Sequence, residues 1–132
     1  MAQLRDTSIT GNLSINGTRM YNYVIEEGDN NGWYYRIWAN GLKEAWCECT
    51  ATVKPTTAWG STYYATASAR AFPSGLFNGI PHLYAYAAST SGSCWVTTPH
   101  TTSANTGSIY CISPVKATSN ISMKLDLYAA GN

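Results

Sequence analysis

The chain has 132 residues, enough for one domain with a modest core, and its 8 basic and 7 acidic residues give a formal net charge of +1. Only 11% of residues are charged and no basic stripe exists, which argues against nucleic-acid binding, and no apolar run reaches membrane-spanning length. With 13% aromatic residues and abundant Ser and Thr the composition fits β structure with polar turns, and so weakly charged a surface predicts burial between subunits.

Taken in order, residues 1–20 differ from the rest. Met1 to Asp6 contain no apolar h-region, so the expectation is folding in a cytoplasm without a signal peptide. Leu4, Ile9, Leu13, Ile15 and Met20 are thinly spaced, and Ile9-Thr10-Gly11-Asn12 is echoed by Ile15-Asn16-Gly17-Thr18. Such a segment cannot bury itself alone; winding with two further copies would supply apolar neighbours, making 1–20 a trimeric neck or anchoring segment. Residues 21–132 read as the domain proper. Tyr21 to Glu27 is predicted as its first strand, and Gly28-Asp29-Asn30-Asn31-Gly32 as a tight polar turn.

Residues 33–53 are predicted to form a β-hairpin around Asn40-Gly41. A two-residue loop would set Lys43 opposite Trp38. A three-residue loop with left-handed Gly41 would set Arg36 opposite Glu44 and Tyr34 opposite Trp46. The second register is preferred because it pairs opposite charges and aromatic rings. It gives a core face of Trp33, Tyr35, Ile37, Ala45, Cys47, Cys49, Ala51 and Val53, broken by Lys43 near the turn. The other face, with Tyr34, Arg36, Trp38, Leu42, Glu44 and Trp46, is too aromatic for plain solvent and too charged for a plain core, which predicts a contact between subunits.

Beyond the Lys54-Pro55-Thr56-Thr57 break, Trp59 to Arg70 is predicted as strand, with Tyr63, Ala65, Ala67 and Ala69 on one face. Loops are expected around Leu76-Phe77. Strands are expected over His82–Ala88, Cys94–Thr97, Ser108–Ser113 and Ile121–Ala130, the last with the cleanest alternation in the chain. No stretch has a helical period. Short strands with turn signals between them predict an all-β, antiparallel β-sandwich, jelly-roll-like.

The hairpin pattern Trp33, Tyr35, Arg36, Trp38, Gly41, Glu44 and Trp46 resembles the C-terminal head domain of bacteriophage tail-fibre or minor structural (receptor-binding) proteins, mostly of phages of Gram-positive and gut bacteria. Members of that family often carry Lys at the position of Ile37, Cys at Ala45 and Gly at Cys47, and end in a more aromatic run than Tyr128-Ala129-Ala130-Gly131-Asn132. The resemblance spans about Tyr21 to the end and is sharp only in the hairpin. It implies a β-rich, homotrimeric virion protein, a short tail-fibre tip or receptor-binding head. Residues 1–20 would engage other virion proteins. The alternative is a capsid decoration or head-fibre protein, which the short neck favours. The resemblance assigns no binding residue.

Catalytic sets are not apparent. Glu44 and Glu48 share a strand face but stand about 13 Å apart, too far for a glycosidase pair. No serine-nucleophile elbow or phosphate-binding loop occurs, so no enzyme is expected. Cys47 and Cys49 lack zinc-ligand spacing, neither His82 nor His100 supplies it, and no cofactor or metal is implied. A Cys94–Cys111 bridge formed after lysis is left open. Sugar recognition uses aromatic faces beside short polar groups. Trp59, Tyr63 and Tyr64 beside Thr56, Thr57 and Ser61, and Trp95 and His100 in a Ser/Thr-rich run, are the candidates for contacting a bacterial surface polysaccharide.

Overall fold

The computed structural model describes residues 13–20, 22–98 and 103–132. It is all-β, with no helix among the described residues. The strands are β1 (Leu13–Ile15), β2 (Thr18–Met20), β3 (Val24–Asn30), β4 (Trp33–Trp38), β5 (Lys43–Val53), β6 (Thr57–Trp59), β7 (Thr62–Ser68), β8 (His82–Thr90), β9 (Trp95–Thr97), β10 (Ser108–Ser113) and β11 (Ile121–Gly131). Two antiparallel sheets pack face to face as in a β-sandwich. One has five strands in the order β3-β4-β5-β11-β8 and the other four in the order β6-β7-β10-β9. β1 and β2 form a separate two-stranded ladder.

The predicted central register is present. Tyr34 pairs with Trp46, Arg36 with Glu44 and Ile37 with Lys43. The loop between them is Ala39-Asn40-Gly41, closed by the Trp38 amide donating to the Leu42 carbonyl at 2.8 Å. Gly41 has φ +91, and the Gly41 amide donates to the Trp38 carbonyl at 2.9 Å. A Cβ added at Gly41 would meet nothing within 4 Å, so Gly41→Ala isolates the backbone cost. It is expected to lower stability by about 1–2 kcal/mol, read as a shift in urea midpoint at unchanged slope. A smaller shift would show that the loop relaxes.

Two other boundaries differ from expectation. The first domain strand is Val24–Asn30, so the turn expected over 28–32 shrinks to Asn31-Gly32, with φ of 53 and 79. Two successive positive φ values match the right-handed twist of the strands they join. The strand expected over Trp59–Arg70 is interrupted at Gly60 (φ 61), where a two-residue turn folds β6 back on β7. The neck predicted for 1–20 falls mostly outside the described residues, including Leu4 and Ile9. The described end, 13–20, turns on Asn16-Gly17 with both φ positive.

The core lies between the sheets. Met123, Leu125, Leu127 and Ala129 of β11 meet Ile109 and Cys111 of β10, with Ala45, Cys47, Val53 and Leu83 alongside. Alternation at a period of two places these side chains inward on every strand. The inward alanines 65, 67, 85 and 87 are small, which lets the sheets approach closely. A loop over 69–81 plugs one end with Phe72, Leu76 and Phe77, all buried. It is tied down by the Trp33 indole Nε1 and the Asn31 side-chain amide, both donating to the Ala71 carbonyl at 2.8 and 2.9 Å.

Candidate functional site

Both outer faces carry aromatic rings, but they are built differently. On the five-stranded sheet, cross-strand neighbours run Tyr34, Trp46, Tyr128, Tyr84 over β4, β5, β11 and β8. Their ring centroids are 5.9, 5.6 and 6.0 Å apart, at tilted angles. The Arg36 guanidinium lies over Tyr34 and Trp46, at 5.5 and 5.7 Å from the centroids. The Arg36 Nε also donates to the Tyr34 hydroxyl, which donates to Glu27 at 2.7 Å.

Glu44 is the hub of this face. One carboxylate oxygen accepts from the Trp38 Nε1 at 2.6 Å, the other from the Tyr128 hydroxyl at 2.5 Å. One side chain therefore ties β4, β5 and β11 together. Burial first, then the Glu44 carboxylate beside it, pushes the Tyr128 hydroxyl up to about 12. An unfolded tyrosine ionises near 10. The stabilisation from protonated Tyr128 is thus fully present below about pH 10 and is lost as pH rises through about 12. In a spectrophotometric titration at 295 nm the highest-pH step is expected to vanish in Tyr128→Phe, with flatter stability above pH 10; persistence of that step would refute the assignment.

These contacts account for the hairpin signature. Trp33 is core and anchors the 69–81 loop; Tyr35 lines the core face; Trp38 donates to Glu44; Arg36 stacks on Trp46 and takes its ion pair from Glu27 on β3 rather than from Glu44 opposite; Gly41 makes the turn. All seven positions have work inside one chain. The predicted interface residues Tyr34, Arg36, Trp38, Glu44 and Trp46 do share one face, half-buried by their own neighbours. That face also carries Glu27, Asp29, Glu48 and Asp126, so five of the seven acidic residues lie on it. Lys124 there is ion-paired with Glu48.

The outer face of the four-stranded sheet is the opposite in character. Strands β6, β7, β9 and β10 contain no charged residue. Cross-strand registers put Thr57, Tyr64, Ile112 and Trp95 in one row and Thr66, Tyr110 and Thr97 in the next. Trp59 stands at the β6 end opposite Thr62, whose hydroxyl donates to the Trp59 carbonyl at 2.7 Å. Trp59 meets Tyr64 and Tyr110 edge-on, with centroids at 5.8 and 6.3 Å, and Tyr64 and Tyr110 are 5.6 Å apart. Trp59 is still 53% exposed and Trp95 48%.

Of the predicted sugar-contacting residues, Trp59, Tyr64 and Trp95 thus come together on one face. Tyr63 lies on the other side of β7, in line with the inward Ala65 and Ala67. His100 lies outside the described residues. Tyr110 completes the cluster and was missed, because β10 reads as a core strand; only its alternation with Ile109 and Cys111 marks it as outward. Tyr84 and Tyr86, exposed on β8, are likewise absent from the predicted set.

The cysteines are four free thiols. Burial pushes Cys47 and Cys49 up, and lifts Cys111 to about 12 with the Cys94 thiol beside it. Burial that disfavours the thiolate makes Cys47, Cys49 and Cys111 poor nucleophiles. Comparisons with protein-family models, with curated proteins and with solved structures find no match for this chain.

Proposed function

We propose that this chain is a bacteriophage virion protein, a jelly-roll-like, homotrimeric receptor-binding head or short tail-fibre tip that contacts bacterial surface glycans. Its role is binding, not catalysis. The observation that carries the reading is the uncharged outer face where Trp59, Tyr64, Tyr110 and Trp95 stand among threonines. Indole and phenol rings take the apolar side of a pyranose, and hydroxyls answer its hydroxyls. Rings held by one another lose little entropy when a sugar settles on them. Three copies on one axis would make weak sites effective on a repetitive wall polymer.

A capsid decoration or head-fibre role is the second reading. The hairpin favours it in one respect: every signature residue is engaged within the chain, so none is left over to mark a receptor site.

The test is immunogold labelling of intact particles with an antibody against 22–98, followed by a glycan array. Gold at the tail tip and glycan binding lost in Trp59→Ala/Tyr110→Ala are the expected results. Gold over the capsid and an array without signal would establish the second reading. Light scattering that returns a monomer at micromolar concentration would remove the trimer from both.

A further inference from the structure

The sandwich has an open seam where β8, the edge of the five-stranded sheet, passes β9, the edge of the four-stranded sheet. It is pinned at one end by the Thr98 hydroxyl donating to the Leu83 carbonyl at 3.0 Å. Beyond that point a groove of about 310 Å³ runs between Ala85–Thr90 of β8 and Cys94, Trp95 and Val96 at the start of β9. That volume is at the small end of the range for ligand sites.

Both large aromatics on the groove are exposed, Tyr86 at 67% and Trp95 at 48%. Neither ring is needed by the core, since each lies on the outer side of its strand. Among the described residues β8 pairs only with β11, and β9 only with β10, so each presents an unpaired backbone edge to the seam. Such edges offer N–H and C=O groups side by side, as a ligand rich in hydroxyls requires. Ser89 and Thr90 add hydroxyls. None of the lining residues is charged. The two charged neighbours across the ladder are of opposite sign: Asp126 opposite Tyr86, and Lys124 opposite Ser89, the latter engaged by Glu48. Among the described residues a polyanion finds no free cation here, and an aromatic-lipped groove with polar edges is poorly suited to an apolar ligand.

Trp95 belongs to two features. It lines the groove, and it lies in the same register row as Tyr64, two strand spacings or roughly 10 Å away. We infer that the groove is a sugar subsite for a neutral polysaccharide, whose chain crosses from the Trp59–Tyr64–Tyr110 cluster over Trp95 to a pyranose held between the two sheet edges beside Tyr86. The inference rests on the glycan-binding reading and adds to it a ligand class, uncharged, and a second contact point on a different strand.

Native gel electrophoresis through soluble polysaccharides tests it, with dextran, mannan and galactan as neutral probes and hyaluronate and polyglycerol phosphate as anionic ones. The expected result is retardation by at least one neutral polymer, insensitive to salt, and by neither polyanion. Tyr86→Ala and Trp95→Ala should each weaken it about tenfold or more, and Trp95→Phe should restore most of it. Both side chains are exposed, so circular dichroism should confirm unchanged folds. Salt-sensitive retardation by a polyanion, or neutral binding indifferent to Tyr86, overturns the groove while leaving glycan recognition standing. Retardation by no polymer overturns both. A changed oligomeric mass in Tyr86→Ala would make the seam a contact between copies, and likewise overturns the subsite.

Discussion

Trp33→Ala is expected to destabilise the domain by about 3–5 kcal/mol, a large share of the 5–15 kcal/mol that typically holds such a fold. Trp33 is fully buried, and its ring meets Phe72 at 5.4 Å. Its removal opens a cavity and also releases the plug. The Ala71 carbonyl loses the indole donor, and Phe72 and Phe77, themselves 5.5 Å apart, lose the surface they close against. Trp33→Phe separates the two effects. It keeps much of the volume but not the N–H, and should cost about 1–3 kcal/mol for the hydrogen bond and residual cavity. Urea unfolding followed by circular dichroism measures both. A loss below about 1 kcal/mol in Trp33→Ala would show that the 69–81 loop holds itself in place.

Glu44→Ala is expected to cost about 2–3 kcal/mol, because hydrogen bonds to a charged acceptor are the stronger kind and two are lost together. Glu44→Gln keeps one carbonyl acceptor and should fall between. The comparison that gives the number meaning is Glu48→Ala on the same strand. Glu48 pairs with Lys124, both more than half exposed, and such a pair is worth under about 1 kcal/mol. If Glu44→Ala costs no more than Glu48→Ala, Glu44 is a surface residue and not a clamp. The Tyr128 ionisation supplies an independent readout, since it should fall back from about 12 when its carboxylate partner is removed.

Legibility was uneven along the chain, for physical reasons. β11 was plain because each of its outward positions is polar or tyrosine and each inward one apolar, from Ile121 to Ala129. The central register was legible because Arg36–Glu44 and Tyr34–Trp46 pair well in only one of two alignments. The same turn rule, applied only at Asn40-Gly41, serves equally at Asn31-Gly32 and Asn16-Gly17, where the loops really have two residues. Gly28-Asp29-Asn30 reads as the start of a turn, yet it continues β3, an edge strand that tolerates and even benefits from charge. The aromatic cluster was half legible. Trp59 and Tyr64 stand out locally, whereas Tyr110 and Trp95 join them only through pairings across up to fifty residues that no local pattern encodes.

The place of β11 also has a bearing on how this protein is made. It is the last of the eleven strands among the described residues, yet it lies in the interior of its sheet, joined to β5 on one side and β8 on the other. Until residue 131 has left the ribosome, the β3-β4-β5 meander and β8 are two pieces without a seam to join them. During that interval β5 exposes an eleven-residue bare edge with an apolar face. Closure is therefore a late, long-range event, slow by the standards of domains built from local contacts. A chain that stalls or is clipped short of β11 keeps that edge bare, a ready template for pairing with another chain.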